Sequence, residues 1–297
     1  MIRKNSLKAY ILAARPRTLS ASATPAIIGS ALAYHYQHFR ILSAVICLLF
    51  ALLAQVISNF ANDYFDFKKG IDNDERIGPK RAVAEGWIAP KRMLVAIGIL
   101  LIIAGLLGCS LIYYGGVHLL IVGVLIAIFA LAYSGGPYPL SYHGFGDICV
   151  FVFFGIVPVG FTYFVQALEW TLPVTLCGAA TGLVVINILV ANNYRDRETD
   201  AKSNKCTSIV LLGERFGRYF YLCNGIVAVV LCQYFLLEEV FLAAVLPLLY
   251  LLLHIATWRE MVRIGSGAEL VVILGKTARN VLIFGLTISI GLLIGEL

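Results

Sequence analysis

Long apolar runs and short polar breaks alternate along this chain, and the breaks mark out its elements. Nine runs are each near the ~20 residues a helix needs to cross a bilayer. They predict spans over about 18–36, 42–65, 92–114, 117–133, 145–166, 171–193, 217–236, 239–257 and 277–295. Very short turns join the spans in pairs, at His35–Ile41, Tyr114–Gly116, Ala167–Thr171 and Leu237–Glu239, and longer polar segments alternate with these turns. Ahead of the first span, residues 1–16 interleave Arg3, Lys4, Lys8 and Arg15 with Leu7, Tyr10, Ile11 and Leu12 at helical spacing. That pattern predicts a short amphipathic helix lying on the membrane surface. Pro16 then opens the first span, where a proline is tolerated. The expectation is an all-α integral membrane protein with one transmembrane domain over 1–297, its polar loops covering 66–91 and 194–216.

Composition agrees with the pattern. The chain has 297 residues, 60% hydrophobic and 13% charged, against about 25% charged in a soluble domain. The mean hydropathy is +0.87. A net charge of +6 would ordinarily raise nucleic acid as a partner. Its distribution argues otherwise: the N-terminal segment and the loops after spans two, six and eight hold 22 of the 23 Lys and Arg, leaving only Arg40 on the other side. Such asymmetry is the positive-inside pattern. It predicts a protein of the cytoplasmic (inner) membrane, with the N-terminus in the cytoplasm and the C-terminus outside. No cleaved signal peptide is expected, because the first apolar run lacks a small-residue cleavage site and more spans follow. The seven cysteines form no C-x-x-C, and the five histidines are scattered without ligand spacing. Neither a disulfide framework nor a zinc site is expected.

Two polar clusters remain, each at the end of a span. The first, N-F-A-N-D-Y-F-D-F-K-K-G-I-D-N-D, runs from Asn59 to Asp74, and the second, N-N-Y-R-D-R-E-T-D, from Asn192 to Asp200. On a helix, residues three and four apart share a face. Asn59, Asn62 or Asp63, and Asp66 therefore project together, with Asp72 following a turn at Gly70; Asn192 or Asn193, Asp196 and Asp200 make a similar face. Acids at a membrane helix end are costly unless paired or metal-bound. Carboxylate and amide oxygens suit Mg²⁺, which bridges to substrate phosphates. Two facing clusters can hold two or three such ions around one diphosphate, with Arg76, Lys80, Arg81, Arg195, Lys202 and Lys205 as contacts for its oxygens. The bland alternative is a solvated rim of ordinary cytoplasmic charges.

A third feature is the loop Y-S-G-G-P-Y-P-L-S-Y-H-G-F-G-D, from Tyr133 to Asp147. Its glycines and prolines predict irregular backbone. Tyr133, Tyr138 and Tyr142 fit either an aromatic pocket or an interfacial belt. Asp147 fits either a helix cap or a group that orients an acceptor hydroxyl.

At these residues the chain resembles the UbiA superfamily of membrane prenyltransferases. N-D-Y-F-D-F-K-K-G-I-D (62–72) resembles the first aspartate-rich motif and N-N-Y-R-D-R-E-T-D (192–200) the second. The five residues between Asp66 and Asp72, the D-x-R-I-G-P that follows at 74–79, and Y-S-G-G-P-x-P-L-x-Y-x-G-x-G-D with F-F-G at 153–155 resemble the 1,4-dihydroxy-2-naphthoate branch of menaquinone biosynthesis. The resemblance implies nine helices around a central cavity, capped on the cytoplasmic side by the motif loops. It implies Mg²⁺-dependent transfer of a polyprenyl chain from its diphosphate to the aromatic acceptor, with loss of CO₂. We expect Asn62, Asp66, Asp72, Asp196 and Asp200 to form the Mg²⁺-diphosphate site, with Asp63 as a further metal ligand, Asn193 as a diphosphate helper, and Tyr133, Tyr142 and Asp147 on the acceptor side. The partners expected are the two substrates and the lipid bilayer, with no obligate protein partner. Other acceptors, such as 4-hydroxybenzoate or homogentisate, are the nearest alternative; a cation-coupled transporter is a more distant one.

Overall fold

The computed structural model describes residues 2–70 and 78–295. A short helix, α1 (Leu7–Ala14), precedes the bundle, its N-terminus capped by the Ser6 hydroxyl, which accepts from Ala9 N–H. The rods that follow are α2 (Ser20–His35), α3 (Ile41–Lys68), α4 (Pro90–Gly115) and α5 (Leu119–Ala132). The fifth rod is α6 (Gly146–Phe151), a π-helical turn (Val152–Ile156) and α7 (Val157–Ala167). Then come α8 (Leu172–Lys202), α9 (Ser208–Cys232), a rod broken before Pro247 into α10 (Phe241–Val245) and α11 (Pro247–Ile264), and α12 (Val271–Ile294). Nine rods thus stand among the described residues where nine spans were predicted, and seven of them are both long and apolar enough to cross a membrane.

The rods outrun the apolar runs mainly at one end. α3 continues to Lys68, α8 to Lys202 and α11 to Ile264, while α9 begins at Ser208 and α12 at Val271. All these extensions lie at the end that carries the acid clusters. The segments expected as loops over 66–91 and 194–216 are therefore partly helical. The reason is local: polar side chains satisfy one another along the helix, so it need not stop where the apolar run stops. Arg195 donates to Asn192, Thr199 Oγ1 to the Asp196 carbonyl, and Ser203 Oγ to the Thr199 carbonyl.

Packing divides the bundle. The largest core joins α2, α7, α8, α9, α11 and α12 around Tyr163, Tyr194, Tyr221 and Phe284. A smaller core joins α1, α3 and α4 to the segment Ala82–Ile88. Small residues allow the tightest crossings, as in membrane bundles generally. Gly155, on the π-helical turn, lies so close to α8 that an added Cβ would stand 2.4 Å from Gly182 Cα. α4 turns Ile99, Ile102 and Leu106 outward, an apolar surface suited to lipid.

Candidate active site

The first cluster rides on the last turns of α3. Asp66 accepts a hydrogen bond from Tyr142 Oη at 2.7 Å, and its other oxygen lies 3.9 Å from the Arg81 guanidinium. Asn62 Oδ1 accepts from the Ser134 hydroxyl. Lys69 donates to the Ser134 carbonyl at 2.8 Å, and its ammonium stands 4.4 Å from the centre of the Tyr142 ring. Burial pulls the Lys69 pKa down, against the opposing pull of Asp66. The loop after α5 thus folds over the end of α3, with Tyr142 at their meeting point.

The second cluster occupies the last turns of α8 and is held differently. Arg195 clamps Asp196 through two bonds, Nε to Oδ1 at 2.7 Å and Nη2 to Oδ2 at 2.6 Å, and also reaches Asn192 Oδ1 at 2.6 Å. The Arg195 side chain is wholly buried. Lys205 lies 3.3 Å from both oxygens of Asp200. Each acid therefore carries a cation of its own.

Between the clusters lies a cavity of about 510 Å³. Of the residues singled out in the sequence, Asn59, Asn62, Asp66, Lys80, Arg81, Tyr133, Tyr142, Asp147, Asn192, Asn193 and Lys205 stand on its wall. Asp196 and Asp200 do not, because their carboxylates turn back onto Arg195 and Lys205. Lys202 is exposed away from the wall. Asp63 departs from its assigned place as a metal ligand. It is 1% exposed, and its two oxygens accept from the backbone N–H groups of Ala82 (2.9 Å) and Val83 (3.1 Å). Its geometry is that of an anchor for the segment that presents Lys80 and Arg81. Asp72, Asp74 and Arg76 lie outside the described residues.

A second cavity of about 140 Å³ adjoins the first, and Gln55, Ser58, Tyr133, Val150 and Phe154 line both. Its wall is apolar and aromatic, with Phe50, Phe129, Phe153 and Phe161 among its residues. Burial is the main cause that pushes the Tyr133 pKa up, with the Asp147 charge adding to it. Its phenol therefore stays protonated and can donate.

Among the described residues no three His, Cys, Asp or Glu converge to hold an ion by themselves. The wall offers hard oxygens singly instead, from Asp66, Asn62 and Asn193, with Asn192 beside them and Lys80, Arg81 and Lys205 facing the same space. That donor set fits Mg²⁺, which takes one or two carboxylates and completes its shell from water and substrate phosphates.

The roles of several wall and support residues, some of them inside the clusters already singled out, had no signal in the sequence. Ser134 holds Asn62, and Asn59 donates to the Ala14 carbonyl at 2.9 Å, tying α1 to α3. Arg15, Arg17 and Thr18 line the mouth. Glu214 accepts from Tyr194 Oη at 2.9 Å and pairs with Arg197 at 3.3 Å, fixing α8 against α9. These pairs join positions far apart in the chain, where periodicity carries no information.

The model of the UbiA prenyltransferase family matches residues 22–266. The chain belongs to that family. It is therefore a prenyltransferase, and the transporter alternative gives way. The chain is 40% identical over 224 residues to the 1,4-dihydroxy-2-naphthoate octaprenyltransferase of Haemophilus influenzae, covering 72% of each. It is 34% identical over 295 residues to the protein of that name from Mycobacterium tuberculosis, covering 98% of this chain and 99% of the relative. The solved structure of a UbiA homologue from Archaeoglobus fulgidus bound to DMAPP and Mg²⁺ superposes with a TM-score of 0.63 at 15% identity, over 95% of this chain and 99% of that one. The membrane-bundle fold is thus that of UbiA prenyltransferases, as the two aspartate-rich motifs implied.

Proposed function

We propose that this UbiA prenyltransferase moves a polyprenyl chain from its diphosphate to 1,4-dihydroxy-2-naphthoate, releasing diphosphate and CO₂ and leaving a demethylmenaquinol. One observation carries the proposal: a cavity rimmed by acids, amides and cations opens directly beside an apolar, aromatic pocket. An allylic diphosphate has that same division, a dianionic head or greater charge and a long hydrocarbon tail. The acceptor assignment draws support from the relatives named for this naphthoate and from the 133–155 segment.

The head group would sit between Asp66 and Asn62 on α3 and Asn192 and Asn193 on α8. Mg²⁺, when bound, supplies neutralisation of the charge that grows on the departing diphosphate. Lys80, Arg81 and Lys205 add charge-assisted hydrogen bonds to its oxygens. Asp196 and Asp200 stand behind this layer and join it if Arg195 and Lys205 turn toward the phosphates. The allylic carbon would lie at the junction of the two cavities, where Val150 and Phe154 exclude water from a reactive cation. The basic end of the bundle would face the cytoplasm of an inner membrane, with the N-terminus inside and the C-terminus outside.

The test is to incubate the purified protein with Mg²⁺, a polyprenyl diphosphate and one of three acceptors: 1,4-dihydroxy-2-naphthoate, 4-hydroxybenzoate or homogentisate. Mass spectrometry is expected to find a decarboxylated prenyl-naphthalenediol with the first acceptor. Product only with another acceptor would overturn the assignment to naphthoate.

A further inference from the structure

Most acids of the active site already have a partner, and Asp147 stands apart. Asp66 is bonded to Tyr142 and lies near Arg81, Asp196 is clamped by Arg195, and Asp200 pairs with Lys205. Asp147 stands on the wall of the same cavity, and its Oδ1 is enclosed yet accepts no hydrogen bond. Ser208 Oγ, on the first turn of α9, lines the same wall, is likewise enclosed, and faces the Asp147 carboxylate. Buried polar atoms almost always find partners, so a carboxylate oxygen left unfilled beside a cavity points to a ligand.

The local backbone presents Asp147 rather than using it. The start of α6 receives no side-chain cap, so this carboxylate does not close the helix end. The loop is pinned by Ser141, whose backbone N–H and hydroxyl both donate to the Tyr133 carbonyl, at 3.0 and 2.7 Å. That brings the Tyr133 hydroxyl beside the start of α6: an added Cβ on Gly146 would lie 3.4 Å from it. Asp147, Val150 and Phe154 fall at helical spacing along one face, and the last two line the junction between the polar and apolar cavities. Asp147 is thus one turn from the place where the allylic carbon must meet its acceptor. An oxygen here has hydroxyls for neighbours, and among the described residues no group of three acids forms to hold an ion.

Building on the prenyl transfer proposed above, we infer that Asp147, flanked by Ser208 and Tyr133, is the site for the acceptor's ring hydroxyl and receives its proton as the new bond forms. The allylic carbon–oxygen bond breaks and its electron pair leaves with diphosphate. The ring carbon that bears the carboxylate, adjacent to the hydroxyl, forms the carbon–carbon bond. The hydroxyl proton passes to Asp147 and its oxygen becomes a ketone. CO₂ then departs from the same ring carbon, its electron pair restores the ring as an enolate, and Asp147 returns the proton to that oxygen. The carboxylate is regenerated and no further reactant is needed. Ser208 and Tyr133 serve as donors that hold the oxygen while its charge changes.

The test compares wild type with Asp147→Asn and Ser208→Ala, using 1,4-dihydroxy-2-naphthoate and its 1-O-methyl ether. Stabilisation by Mg²⁺ and inorganic pyrophosphate in a thermal melt reports an intact diphosphate end. Asp147→Asn is expected to lower kcat by about 10²–10⁴-fold, the usual share of a positioned base, with the KM for polyprenyl diphosphate unchanged. Wild type is expected to bind the free hydroxyl at least ~10-fold more tightly than the ether, and Asp147→Asn to lose that preference. Ser208→Ala should lose part of it, which keeps the idea testable if the aspartate variant misfolds. Wild-type turnover or undiminished preference in Asp147→Asn overturns the inference. Failure of wild type to prenylate the naphthoate is a separate outcome that rejects the acceptor; the comparison is then made with 4-hydroxybenzoate and 4-methoxybenzoate, read in the same way.

Discussion

Asp66 and Asp196 hold corresponding places in the two acid clusters, yet their surroundings are opposite. Asp66 stands on the cavity wall with one tyrosine hydroxyl at 2.7 Å and a guanidinium at the limit of pairing distance. Asp196 is behind the wall, gripped through both oxygens by an arginine that is itself wholly buried. The difference follows from the helices that carry them. α3 packs in the smaller core and shows a broad face to the cavity. α8 runs through the middle of the larger core, so an acid near its end packs against a resident cation. One cluster thus faces the cavity, and the other is paired within the fold.

The largest test of that contrast is removal of Asp66. Asp66→Ala takes the one described carboxylate of the two motifs that already faces the cavity. A preorganised electrostatic group of this kind is worth about 10²–10³-fold in kcat. Turnover in membranes and in detergent is expected to fall at least that far, while the amount of protein in the membrane stays the same. Activity close to wild type would mean that the open cluster is not where the head group is handled.

Arg195→Gln tests the closed cluster. Breaking a buried pair from one side strands the other charge, at about 3–5 kcal/mol. The variant is expected to melt well below wild type when Mg²⁺ and pyrophosphate are absent. If Asp196 turns to the ligand site as proposed, adding both should recover much of the loss. Thermal melts with and without them read the difference. An equal deficit in both conditions would make Asp196 a purely structural acid and leave the head group to the first cluster.

The sequence carried the architecture because a bilayer imposes a strong rule. Apolar runs of the right length, separated by polar breaks, become rods, and all nine runs did. It also carried the two clusters, since acids next to a membrane helix are rare enough to stand out. What it did not carry is the direction each side chain takes. Asp63 and Asp66 are three residues apart in one motif, but Asp63 faces the Ala82–Val83 backbone and Asp66 the cavity. Helical spacing allowed either Asn62 or Asp63 on the ligand face, and only the fold of the 78–89 segment separates them. The end of α8 was misplaced for a related reason. Hydropathy ends at Asn193, whereas the hydrogen bonds of Arg195, Thr199 and Ser203 carry the helix on to Lys202. Charge and polarity mark where a chain leaves the membrane; side-chain pairing decides where a helix stops.

The smallest expected effect divides Tyr142 into its two parts. Its hydroxyl donates to Asp66, while its ring lies 4.4 Å from the Lys69 ammonium and 5.8 Å from that of Lys205. The ring therefore spaces two cations that flank the open cluster, and the hydroxyl steadies the acid between them. Tyr142→Phe removes only the hydroxyl. A hydrogen bond to a charged group contributes about 1.5–3 kcal/mol when its loss leaves the charge unsatisfied, but Asp66 faces a wet cavity where water can take the place of the phenol. We expect kcat/KM for polyprenyl diphosphate to fall by less than about tenfold in Tyr142→Phe, given that replacement. Tyr142→Ala also removes the ring and the weak cation–π contacts, worth about 0.5–1 kcal/mol each at exposed sites, and should fall further. Equal losses in the two variants would assign the whole effect to the hydroxyl, and with it the readiness of the open cluster. A loss confined to Tyr142→Ala would assign that readiness to the spacing of Lys69 and Lys205 around the ring.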